Sequence, residues 1–146
     1  MKIIFVGEGW NADEAQARTP FVGSVGYVLD QMLELAGINK QDCYFTNVFN
    51  LEVGGGASCF GSYKDSKNNF PHFTKGKYLK DQYVGELERL YKEISEIKPN
   101  IVVALGGLAA WALKGSPTIA KVRGTVFAGP NDIKCLATYH PQAVGS

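Results

Sequence analysis

Cysteine is scarce in this sequence, neither sign of charge is in excess, and there is no long apolar run. Each shortage removes a class of protein. The three cysteines, Cys43, Cys59 and Cys135, are far apart, odd in number and without a C-x-x-C pair. That argues against a disulfide framework or a thiolate metal site and for free thiols in a reducing compartment. Fifteen Lys and Arg stand against fourteen Asp and Glu, for a formal net charge of +1, so a polyanionic partner would have to be met by a local basic patch. No apolar stretch nears the roughly 20 residues that span a bilayer. Lys2 followed by four apolar residues is too short for a signal peptide, so the expectation is a soluble, cytoplasmic protein with no membrane partner. G-x-G-x-x-G and G-x-x-x-x-G-K-S/T are both missing, G-E-G-W-N-A standing at Gly7; dinucleotide and P-loop sites lose their main support.

What remains, 146 residues of which 45% are hydrophobic, suits one domain over residues 1–146 with its own core. Lys2 to Val6 reads as a short buried strand. Val25, Val28, Leu29, Met32, Leu33 and Ala36 repeat at helical spacing and stop at Gly37. No helix is expected between Gly7 and Gly23. Asp42 to Val48 returns to strand composition, and a loop of about residues 49–78 breaks every period. Helical spacing resumes at Leu79, Tyr83, Leu87, Leu90, Tyr91, Ile94 and Ile97, up to Lys98-Pro99. Asn100 to Leu105 is the clearest strand and enters a short helix through Gly106-Gly107. Arg123 to Phe127 and Lys134 to Thr138 are two further strands. The fold class is therefore α/β, a three-layer αβα arrangement around a central, mostly parallel sheet of the four-stranded type.

Ligands of open α/β sheets bind beyond the carboxyl ends of the strands, here the loops GEGWN, TNVFN, GGLAA and YHPQ. Each has a plain structural reading. Gly106-Gly107 permits close strand–helix packing as readily as it cradles a phosphate, Asn47 suits a turn, and His140 suits a loop.

Together, however, these loops resemble the uracil-DNA glycosylase superfamily. The likeness is strongest to the family 4-like group whose first motif is GEAPGxxED followed by PFVG: Gly7, Glu8, Asp13, Glu14 and Pro20-Phe21-Val22-Gly23 stand at matching positions. Thr46-Asn47-Val48 is similar to the second motif, PNIVVALGGLAA to the third, and Arg123-Gly124 with ATYHP to the last. The resemblance implies hydrolysis of the N-glycosidic bond of uracil in DNA, single- or double-stranded, by a monomer that flips the base and needs no metal or organic cofactor. Phe21 would stack on the base. The Asn47 amide would accept from N3–H and donate to O4, and His140 would donate to O2 as charge builds there. Glu8 is the first candidate for stabilising the sugar cation and positioning water, and Asp13 the second. Gly7, Gly9, Trp10 and Asn11 would line the substrate site. Gly23, Ser24, Gly106, Gly107 and Gln142 would meet flanking phosphates.

The chain also departs from the group. Gly9-Trp10-Asn11 replaces Ala-Pro-Gly, so water positioning must differ, with Asn11 a candidate to orient it. The three cysteines do not match the four that usually hold an iron–sulfur cluster, and no cluster is expected. His72 falls where X-type members carry a covalently reacting histidine, but without their basic run; a solvated loop histidine is the expectation. Lys64, Lys67, Lys75, Lys77 and Lys80 make this loop either a phosphate-contacting surface or a solvated one. Family chains continue past His-Pro to a DNA-wedging loop, so the short end implies a minimal version, with Val144 as a reduced wedge, or a fragment of something longer. The alternatives to a uracil-DNA glycosylase are a non-catalytic relative that binds DNA or a modified base and a glycosylase for another modified base.

Overall fold

The computed structural model describes residues 1–53, 56–115 and 124–140. Five strands, β1 (Ile3–Trp10), β2 (Cys43–Glu52), β5 (Ile101–Leu105), β6 (Val126–Ala128) and β7 (Lys134–Thr138), form one sheet in the order β2-β1-β5-β7-β6. The first four of that order are parallel and β6 is an antiparallel edge strand. The mostly parallel sheet expected from the sequence is thus present; the strand expected at Arg123 to Phe127 is found as β6 at Val126–Ala128, antiparallel at the edge because the chain doubles back through Pro130–Asp132 to β7.

The pleat sorts the side chains of β1 into two faces. Ile3 and Phe5 join Val25, Leu29 and Leu33 of helix α2 (Gly23–Leu35), along with Val103 and Leu105. Ile4 and Val6 join the opposite core, built with Leu87, Leu90 and Ile94 of α3 (Val84–Ile97) and Leu108 to Leu113 of α4 (Gly107–Lys114). Helices on both faces make the three layers.

β1 and β2 run on to Trp10 and Glu52, into stretches expected to be loops, and two further segments differ from expectation. A six-residue helix, α1 (Ala12–Ala17), lies where a loop was expected, held by a capping box between Asn11 and Glu14. The long loop contains a two-stranded hairpin, β3 (Phe60–Gly61) with β4 (Tyr78–Leu79). Trp111 anchors it: its indole donates to the Pro71 carbonyl at 3.0 Å, and the Phe60 and Phe73 rings stack on each other beside it.

Candidate active site

The register of β1 and β2 builds the site. Phe5 lies opposite Phe45 and their rings stack at 5.6 Å; two residues further, Gly7 lies opposite Asn47 on the same face. A Cβ at Gly7 would meet Asn47 Oδ1 and would sit 2.6 Å from Phe21 Cζ. The missing side chain is therefore the space in which an amide and an aromatic ring approach each other. Asn47 is 1% exposed, and neither its Oδ1 nor its Nδ2 has a hydrogen-bond partner. Buried amides are almost always satisfied, which makes this one a candidate ligand contact.

Phe21 is placed by local strain and one carboxylate. Its φ of 56° is left-handed, its N–H donates to Glu14 Oε2, and Glu14 is itself buried. Glu14 Oε1 accepts from Asn11 N at 3.0 Å, so one side chain ties the start of α1 to the aromatic residue. Gly26 lets the loop lie close over α2, since a Cβ there would be 2.7 Å from the Phe21 carbonyl carbon. The Phe21 ring meets Phe45 edge-on at 5.8 Å and His140 at 6.1 Å with a 30° tilt.

Glu8, one residue on from Gly7, takes the other face. Its Oε2 accepts from Leu108 N at 2.9 Å, closing the N-terminus of α4, whose own cap Gly106 has no side chain to do so. A Cβ at Gly106, where φ is 100°, would lie 2.8 Å from that oxygen and 3.4 Å from His140 Cβ. Glu8, α4 and His140 therefore meet at one point. Burial raises the Glu8 pKa above 4.5, and the Leu108 N–H opposes the rise. Burial lowers that of His140 below 6.5, which favours the neutral ring.

The remaining candidates divide. Gly9 approaches Val53 where β1 and β2 shift register, and Trp10, just beyond, has its indole Nε1 buried without a hydrogen-bond partner. Asn11 spends its Oδ1 on Glu14 N at 2.9 Å. Asp13 lies against Gly23, its Oδ2 2.7 Å from a Cβ built there, at the start of α2 rather than at the α4 cap. Gly23 and Ser24 open α2, which has no side-chain cap, and Gly107 opens α4. Gln142 and Val144 lie outside the described residues, as does Arg123. His72 is exposed beside Tyr78, ring centroids 5.9 Å apart. Glu14 is a residue whose structural role sequence reasoning missed, although its N-x-x-E spacing from Asn11 marks a capping box.

A separate cleft of about 350 Å³ between α2 and the start of β2 shares Phe21 but none of Gly7, Glu8, Asn47 or His140. The three cysteines do not meet at one point. Cys43 lies on the α2 side, Cys59 and Cys135 in the opposite core, and burial raises all three pKa values, against thiolate formation. No group of three metal-ligating side chains occurs among the described residues, nor is any helix among them long and apolar enough to cross a membrane.

Five mostly parallel strands with helices on both faces make this an α/β fold of the uracil-DNA glycosylase type. The family model of the Uracil DNA glycosylase superfamily matches residues 1–145, and the chain belongs to that superfamily. Among named relatives, the type-4 uracil-DNA glycosylase of Archaeoglobus fulgidus is 31% identical over 98% of this chain and 66% of its own length. That of Thermotoga maritima is 28% identical over 96% and 64%, and that of Pyrobaculum aerophilum 27% over 97% and 67%. The chain thus spans about two thirds of the length of these relatives.

Proposed function

We propose that the chain hydrolyses the N-glycosidic bond of uracil in DNA after the nucleotide is turned out of its strand. The observation that carries the reading is the Asn47 amide, buried with both polar atoms unsatisfied beside Phe21. An amide oxygen that accepts from N3–H and an NH2 that donates to O4 complement uracil, whereas cytosine presents the reverse pattern. Phe21 supplies the stacking face, and Gly7 leaves room for the ring.

In the reaction a water oxygen bonds to C1′ while the C1′–N1 pair leaves with uracil as its anion, and the proton that the water sheds passes to the Glu8 carboxylate. Neutral His140 donates a hydrogen bond to O2, where that charge gathers. Glu8, as a carboxylate, faces the cationic sugar and orients the water; its protonated form would do neither. Asp13, at the start of α2, is the weaker candidate. Backbone N–H groups at Gly23 and Ser24 and at Gly106 and Gly107 suit flanking phosphates, and Gly9 and Trp10 border the sugar.

A second reading, a relative that binds DNA or a modified base without hydrolysing efficiently, draws on one observation. Asn11, the candidate to orient water, has its side-chain oxygen committed to the α1 cap. The test is a uracil-containing oligonucleotide followed by alkaline cleavage of abasic sites. Strand scission with Asn47→Asp shifted toward cytosine supports the first reading; binding without scission overturns it in favour of the second.

A further inference from the structure

β2 is an edge strand, so along its outer side no strand among the described residues satisfies its backbone. Helix α3 takes that place with side chains. Arg89 Nη2 donates to the carbonyls of both Asn47 and Val48, at 2.8 and 2.9 Å. Its Nη1 reaches Thr46 Oγ1 at 3.0 Å and Glu93, while Glu86 stands 3.6 Å from Nε and accepts from Asn50 N at 2.7 Å. Residues 86, 89 and 93 recur at helical spacing, so one face of α3 grips β2 from Thr46 to Asn50.

Neighbouring carbonyls of a regular strand point opposite ways; holding both on one nitrogen fixes a local turn of the backbone at the residue that carries the unsatisfied amide. We infer that Arg89 is a positioning residue that sets the orientation of the Asn47 amide through its main chain, an inference that rests on Asn47 reading the base. The planar fork of a guanidinium can span such neighbouring acceptors, and a lysine ammonium cannot do so in the same geometry.

Arg89→Lys keeps the charge between Glu86 and Glu93 and tests the point. Three quantities are compared with the unaltered protein: inhibition by free uracil, affinity for DNA carrying an abasic site, and the NMR signals of the Asn47 side-chain NH2. The expected result is about tenfold weaker uracil inhibition, with kcat on uracil DNA reduced by up to about 10²-fold, unchanged abasic-DNA affinity and displaced Asn47 signals. A merely structural role would weaken both ligands together or neither. Unchanged uracil inhibition and unmoved Asn47 signals overturn the inference. Should the unaltered protein fail to excise uracil while Arg89→Lys still displaces the Asn47 signals, the positioning stands and the uracil reading falls. If Arg89→Lys does not fold, Glu86→Gln, which loosens the guanidinium but leaves Asn50 N an acceptor, reads the same three quantities with the same outcomes.

Discussion

Glu8 is held where burial opposes its charge. Burial raises its pKa, so the folded chain binds this proton more tightly than the unfolded chain does. The linked stability is fully present below the unfolded value of 4.5 and is lost as pH rises through the folded one. Wherever it is ionised, the carboxylate is therefore a local cost, only partly offset by the Leu108 N–H. Glu8→Gln keeps an acceptor for that N–H and removes the charge. It should raise the melting temperature at pH 7 by a few degrees, a gain that disappears below about pH 4, where both forms are neutral when folded and unfolded. The same change should slow uracil excision by about 10²-fold or more. Calorimetry across pH, beside single-turnover rates, checks both. A lower melting temperature at pH 7 would mean that the α4 cap outweighs burial. By the same sign, the acid limb of kcat/KM should lie above pH 4.5.

One short helix links the end of β1 to Phe21. Glu14 accepts from Asn11 N and from Phe21 N with its two oxygens; glutamine has a single acceptor and would turn an NH2 toward one of these donors. Glu14→Gln should destabilise the fold by about 1 to 3 kcal/mol, measured by denaturant unfolding, and raise KM more than it lowers kcat, because Phe21 loses its placement. An unchanged KM would separate Phe21 placement from Glu14. α1 escaped a reading based on period because ADEAQA has no apolar stripe, whereas α2, α3 and β5 announced themselves by spacing or by run. The hairpin was hidden for a related reason. Phe60, Phe73 and Trp111 pack by shape across 51 residues of chain, and no repeat records that. The pocket was half legible. Gly7, Phe21 and Asn47 came from motifs, but their meeting depends on the register that sets Gly7 opposite Asn47. Arg89 left no mark at all, since its role exists only because β2 lies at the edge of the sheet.

Charge is unevenly spread over the domain. Between Phe60 and Lys80, five lysines stand against one aspartate, a surplus of four in a chain of net charge +1, which leaves a deficit of three elsewhere. Lys64, Lys67, Lys75 and Lys77 are exposed, as is the ring of Tyr63, which packs edge-on against Tyr78. Lysines interleaved with exposed rings suit a single strand, whose phosphates and unstacked bases take the two kinds of contact. The hairpin is also pinned to α4 through Trp111 and to Asp81 through Asn68, so a bound strand would find it ordered beforehand. Each phosphate neutralised on a single strand contributes about 0.7 to the slope of log affinity against log salt. Replacing Lys64, Lys75 and Lys77 together by glutamine should lower that slope by about 2 if all three meet phosphates. Surface changes of this kind leave stability within about 0.5 kcal/mol each, so a weakened complex would not reflect unfolding. Titrating a fluorescent single-stranded oligonucleotide at several salt concentrations measures the slope. An unaltered slope would make the surface a solvated one, and among the described residues DNA contact would then fall to the N-termini of α2 and α4.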